Sequence, residues 1–138
     1  MASETDPVII GDETCRVTLH PPKTVPSHGL EHRMDILAGP FRGSLDVYCY
    51  ARAHFGFHKK LSALHQTLSG DARLEGYENL QMVFSGDGKG HIGVKVSAYA
   101  DHERPIVLEF RISLDQTAIP QILRQLDFAF IRDVPPEH

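Results

Sequence analysis

Three things are scarce in this chain of 138 residues: clustered positive charge, long apolar runs and cysteine. The 14 Lys and Arg are outnumbered by 18 Asp and Glu, which leaves a net charge of −4, and no basic run occurs. Binding to nucleic acid through a general basic surface needs grouped cations to displace counterions from phosphates, so no nucleic-acid partner is expected. No apolar stretch approaches the roughly 18 residues of a membrane helix, so no membrane partner is expected either. Met1-Ala2-Ser3-Glu4-Thr5-Asp6 is acidic and polar. It lacks the basic and apolar regions of a secretory signal, and the expected location is cytoplasmic. Cys15 and Cys49 form no CxxC motif, and isolated cysteines in a reducing compartment read as buried thiols.

Signatures of catalysis and cofactor binding are missing as well. Gly86-Asp87-Gly88-Lys89-Gly90 has the look of a phosphate loop, but Lys89 precedes Gly90 and an alternating strand pattern follows. A Walker A motif needs GxxxxGK, then Ser or Thr, then a helix, so this segment reads as a hairpin turn. There is no GxSxG elbow and no Asp-rich calcium loop, and nothing selects two of the scattered carboxylates as acid and base. Nine histidines are many for this length. His54, His58 and His65 share one side of a predicted helix, and two histidines at i and i+4 can grip zinc. Phe55 stands where a metalloprotease carries glutamate, and Lys59 and Lys60 add repulsive charge. The three histidines therefore read as a helix flank. No metal ligand, cofactor or catalytic residue is assigned.

The pattern of apolar residues carries the fold. Hydrophobic residues make up 41% and charged residues 23%, as in one globular domain over residues 1–138 with loose termini at 1–7 and 133–138. Alternation marks strands at 14–19 and 44–52, and again at about 80–85, 91–99 and 106–114. Shorter strands are expected around 34–37 and 72–76, with a short apolar run at Val8-Ile9-Ile10 and a loop at Lys23 to Gly29. A hairpin is expected to join the strands at 34–37 and 44–52. Phe57, Leu61, Leu64 and Leu68 recur at helical spacing over about 55–68, with Gly70 suited to a left-handed cap. Ile119, Ile122, Leu123, Leu126 and Phe130 give a second helical stripe starting near Thr117 as N-cap, with Pro120 in its first turn. The expected fold class is α+β: a curved antiparallel sheet of about six to seven strands, with one helix mid-chain and one near the C-terminus.

If the alternating apolar sets face inward, the outward positions form a candidate protein-binding face. It carries Asp46, Tyr48 and Tyr50 on one strand, Lys95 and Tyr99 on another, and Glu109 and Arg111 on a third. Tyrosine and arginine are enriched at interfaces because each joins a large contact area to a polar tip. The other reading is an ordinary solvated sheet face stabilised by cross-strand pairs.

Several segments of the second half have a familiar order. A helix Phe57…Leu61…Leu64…Leu68 runs into Gly70-Asp71-Ala72-Arg73-Leu74. The hairpin Gly88-Lys89-Gly90-His91-Ile92-Gly93-Val94 follows. Leu108-Glu109-Phe110 then leads to Asp115-Gln116-Thr117 and Ile119-Pro120-Gln121-Ile122-Leu123-Arg124-Gln125-Leu126. From about Ser44 to Phe130 this resembles the WapI-like bacterial immunity proteins and related actinobacterial domains of unknown function. The resemblance implies a cytoplasmic, non-enzymatic protein that binds a toxin domain and neutralises it, with no catalytic residues to carry over. Asp115-Gln116-Thr117 reads as helix capping. Two alternatives remain: a small-ligand or metal-binding protein using the histidine-bearing helix, and a homo-oligomer assembled through the sheet. The oligomeric state is not legible.

Overall fold

The computed structural model describes residues 6–25, 29–101 and 106–131. The strands are β1 (Val8–Gly11), β2 (Cys15–Leu19), β3 (Lys23–Val25), β4 (Gly29–Ala38), β5 (Phe41–Cys49), β6 (Ser69–Glu75), β7 (Leu80–Asp87), β8 (His91–Asp101) and β9 (Ile106–Asp115). Helix α1 (Ala53–Thr67) separates β5 from β6, and α2 (Ile119–Leu126) follows β9 after one 3-10 turn. The expected loose termini fall largely on residues 1–5 and 132–138, which lie outside the described residues, as does most of the turn after β8.

The α+β class holds, but the single curved sheet of six to seven strands does not. There are two antiparallel sheets. In the first, β4 is central, pairing β5 along one edge and both β2 and β3 along the other. β1 extends it beyond β2. The second sheet is the meander β6-β7-β8-β9. The division has a simple cause. After Cys49 the chain turns into α1, so β5 and β6 never pair and the ladder cannot run on. The stretch expected as a loop after Pro22 also holds a strand, β3, paired to an N-terminal extension of β4. That extension was hidden in the sequence because His32 occupies an inward position in the series Leu30, His32, Met34, Ile36, all four buried.

The expected hairpin is present: Ala38 pairs Phe41 across the two-residue turn Gly39-Pro40. The inward alternation also holds, with Val17, Leu19, Val47, Met82, Phe84, Ile92, Val94 and Val96 all buried. Two positions of the inward sets depart from it. Ala51 is exposed in the turn after β5, and Ile106 is 55% exposed at the end of the β8–β9 ladder, where a bulge between Tyr99 and Asp101 interrupts the register. Leu61, Leu64 and Phe57 of α1 and Ile119, Ile122 and Leu126 of α2 join the inner faces of both sheets in one apolar cluster. Phe57 meets Phe84 edge to face, with centroids 5.4 Å apart.

Helix ends differ from expectation in two places. Leu68, not Gly70, takes the left-handed cap of α1 (φ 62°), and its N–H donates to the Leu64 carbonyl. The chain must pair with β7 immediately afterwards, since Ser69 already faces Asp87. Gly70 lies inside β6 with φ 94°. Thr117 does not cap α2 either: Ala118 stands at its N-cap without a side-chain bond, and Asp115 caps the 3-10 turn Gln116–Ala118 ahead of it, its carboxylate accepting from the Thr117 N–H and hydroxyl at 3.1 and 2.7 Å. Those bonds hold the Asp115 carboxyl below its ordinary pKa. Pro120 sits in the first turn of α2, as expected, and the helix closes in a π-helical turn, Asp127–Ile131.

The end of α1 is fixed to β7 by close backbone approach. The Gly88 N–H donates to the Leu68 carbonyl at 2.7 Å, and a Cβ at Gly86 would stand 2.4 Å from that carbonyl oxygen. Gly93, in the same sheet, has open space where its Cβ would lie. Gly86→Ala is therefore expected to cost about 2–3 kcal/mol in urea unfolding, as for other overpacked sites. Gly93→Ala should be neutral or slightly stabilising. Equal effects for the two would show that the close approach is not real.

Candidate functional site

The seven residues expected to meet a partner do not share one face. Asp46, Tyr48 and Tyr50 lie on or just beyond β5, on the first sheet. Lys95 and Tyr99 lie on β8, and Glu109 and Arg111 on β9, in the second. Asp46, Tyr48, Tyr50, Lys95, Glu109 and Arg111 are exposed, while Tyr99 is half-buried. Lys95 pairs Arg111 across the ladder, and its ammonium lies 3.6 Å from the Glu109 carboxylate. That pair is exposed on both sides and contributes little to stability. Ser97, between Lys95 and Tyr99 on the same side of β8, is nevertheless buried.

The connection between β6 and β7 brings part of the set together. The Tyr77 N–H donates to the Tyr48 carbonyl at 2.7 Å, and the Tyr99 N–H donates to the Asn79 carbonyl at 3.0 Å. The Asn79 amide donates to the Asp46 carbonyl at 2.6 Å. The rings of Tyr50 and Tyr77 meet edge to face at 4.6 Å. Four short contacts thus gather all four tyrosines of the chain around one turn, where the two sheets meet. Tyr50 is 69% exposed, and Tyr48 and Tyr77 about 40% each. Glu31 pairs with Tyr48 across the ladder, and its charge, with that of Asp46, pushes the Tyr48 phenol above its ordinary pKa. Beside the tyrosines a shallow depression is lined by Tyr50, Ala53, Arg73, Glu75, Gly76 and Tyr77. Lys95, Glu109 and Arg111 belong instead to the open outer face of the second sheet. Tyr77 escaped the sequence reading because it sits in a turn, where no periodicity marks a side chain as outward.

A second cluster lies inside. His54, in the first turn of α1, is not grouped with His58 and His65, which are half-buried on the helix flank. It meets His32 of β4 instead, Nε2 to Nε2 at 3.2 Å. Cys49 Sγ is 3.9 Å from the same His32 nitrogen. Phe130 stacks on His54 at 4.1 Å and meets His32 edge-on at 5.1 Å. His32, Cys49 and His54 are all buried, and the Nδ1 atoms of both rings have no hydrogen-bond partner. Burial disfavours the charged forms. It lowers the His32 pKa to about 4 and that of His54 well below its ordinary value. It pushes the Cys49 thiol up to about 12. Cys49 is thus a buried, protonated thiol, the form in which sulfur is least reactive. Cys15, the other one, is only half-buried and lies 3.5 Å from the Arg111 carbonyl.

With this geometry in view, comparison with known proteins is informative on one point. The model of the immunity protein WapI-like family matches residues 54–131, more than half of the chain. The chain belongs to the WapI-like immunity protein family. The matched region of this WapI-like protein holds both helices and the whole second sheet, with Tyr77, Lys95, Tyr99, Glu109 and Arg111. The first sheet, with Asp46, Tyr48, Tyr50, His32 and Cys49, precedes it. Among solved structures, one titled as the plant transcriptional regulator PBF-2 is similar at 8% identity, over 90% of this chain and 79% of that one, with a TM-score of 0.45. No curated protein matches. No helix among the described residues is long and apolar enough to cross a membrane.

The buried imidazoles make this WapI-like protein sensitive to acid. In the unfolded chain His32 titrates near 6.5, and in the folded protein near 4. Between these values the unfolded chain binds more protons, so stability is fully present above pH 6.5 and falls as the pH descends toward 4. His54 acts in the same direction. Urea unfolding at about pH 5 should show a loss of about 2 kcal/mol or more relative to about pH 7.5. The loss should shrink in His32→Leu, since that variant has one fewer group to charge. An unchanged unfolding midpoint across this range would show that the rings are not held neutral.

Proposed function

We propose that this protein is a non-enzymatic immunity protein that neutralises a toxin domain by binding it, through a surface centred on the tyrosine cluster. Membership of the WapI-like family carries the first part of this reading. The convergence of Tyr48, Tyr50, Tyr77 and Tyr99 on one turn supports the second. Tyrosines supply large, stiff contact area at small entropic cost, and exposed aromatics grouped at one place are typical of binding energy concentrated in a few residues. Glu31, Asp46 and Glu75 flank the cluster, which suits a partner surface that offers cationic side chains around an apolar centre. Lys95, Glu109 and Arg111, on the outer face of the second sheet, lie apart from this centre and contribute less.

The absence of an enzymatic role is supported by chemistry as well as by kinship. The one buried thiol is held protonated, and the buried imidazoles are shut away from solvent. A cytoplasmic site of action follows from the same reading, since a producing cell must block its toxin internally.

This reading expects a toxin gene beside the gene for this protein, and the test is co-expression with the toxin domain found there, followed by measurement of the affinity of the purified pair. Wild type should restore growth and form a stable complex. Tyr50→Ala and Tyr77→Ala should each weaken binding about 30-fold or more, the effect expected at the centre of an interface. Lys95→Ala should weaken it less than tenfold. Full binding in the Tyr50/Tyr77 double variant would refute the tyrosine-centred surface. Failure of the wild type to bind or protect would refute the immunity role itself.

A further inference from the structure

The buried cluster at the junction of β4, β5 and α1 is more than core packing. We propose that His32, Cys49 and His54 form a binding site for a soft, monovalent metal ion of the copper(I) type. This is independent of the partner-binding reading.

Geometry comes first. One donor atom from each of the three residues lies within 4.8 Å of the other two. The two Nε2 atoms are 3.2 Å apart and the sulfur is 3.9 Å from one of them. A metal held at about 2.0 Å by nitrogen and about 2.3 Å by sulfur places its donors about 3.3–3.8 Å apart. The observed separations lie within a few tenths of an ångström of that range on two edges, and the third is at most 4.8 Å, so ion binding would draw Cys49 and His54 together by up to about 1 Å. Each ligand comes from a different element, so the ion would tie α1 to the first sheet.

Without a metal the arrangement is poor. A hydrogen bond between the rings uses one N–H and one lone pair. It offers the sulfur only a weak contact at 3.9 Å. A metal engages both Nε2 lone pairs and the sulfur at once.

Charge then selects the ion. Binding releases one proton from the Cys49 thiol to solvent, leaving a thiolate and two neutral imidazoles. With a +1 ion the site is neutral. With Zn²⁺ it keeps a net positive charge among buried groups, with no carboxylate in the cluster to offset it, and lacks the fourth ligand that zinc favours. Thiolate and imidazole are also the donors that suit copper(I). Phe130 stacked on His54 seals the site with an apolar ring. No carboxylate orients either ring through Nδ1, so the affinity should fall about 10–100-fold short of sites that have one.

The experiment uses the full chain purified without a histidine tag and titrated anaerobically with copper(I) against a colorimetric chelator. One ion per chain should bind and raise the melting temperature. X-ray absorption should show one sulfur and two nitrogen donors. Cys49→Ser should weaken binding at least 100-fold, and His54→Gln should weaken it similarly. If either variant fails to fold, the wild-type absorption spectrum decides: a copper shell without sulfur overturns the proposal. Less than one-tenth of an ion per wild-type chain overturns it too. Tighter binding of Zn²⁺ than of copper(I) in parallel titrations would overturn the charge-based choice of ion.

Discussion

The interior of this protein admits no fixed charge, and most of its organisation follows from that. Among the described residues the buried polar side chains are His32, His54 and Ser97, while every Asp, Glu, Lys and Arg stays at the surface. The inner faces of two sheets and one stripe from each helix close on a single apolar cluster. A charge inside it would cost several kcal/mol. The two histidines remain neutral under this constraint, and the Cys49 thiol keeps its proton.

Excluding charge from the inside fixes what the outside presents. Strand alternation sends Arg16, Arg33, Asp35, Arg42 and Asp46 outward on the first sheet, and Arg73, Lys95, Glu109 and Arg111 outward on the second. Much of this charge pairs locally. Asp35, for instance, accepts from the Ser44 hydroxyl at 2.6 Å and lies 2.7 Å from the His20 ring. Such pairs order an open sheet face without distinguishing one partner from another. The meeting of the sheets at the β6–β7 turn is different, because backbone hydrogen bonds there hold exposed aromatic residues in fixed positions. A rigid aromatic group loses little entropy on binding, which suits the partner-binding role proposed for this surface.

The sequence made much of this legible. Period-two alternation gave the second sheet almost strand for strand, because its strands are regular and joined by short turns. The stripes Phe57-Leu61-Leu64 and Ile119-Ile122-Leu126 gave both helices. Two features were not readable. The split into two sheets depends on whether β5 and β6 pair, and no local pattern encodes that. The extension of β4 was masked by His32, a polar residue at an inward position, and the same residue conceals the inner cluster. Helical spacing put His54 with His58 and His65, whereas its real neighbour is His32, 22 residues earlier on β4, which in turn meets Cys49 of β5, 17 residues from it in sequence. Such contacts exist only after folding. The tyrosine cluster was half legible: alternation exposed Tyr48 and Tyr50, but Tyr77 needed the turn to be placed.

Ring-nitrogen chemical shifts report directly whether the interior is uncharged. A long-range proton–nitrogen correlation spectrum at about pH 5.5 separates neutral from doubly protonated imidazoles. With the His32 pKa at about 4 and that of His54 also far below normal, both rings should give neutral signatures while the protein is folded. A doubly protonated signature from either ring would mean that the core tolerates charge, and the description given above would fail.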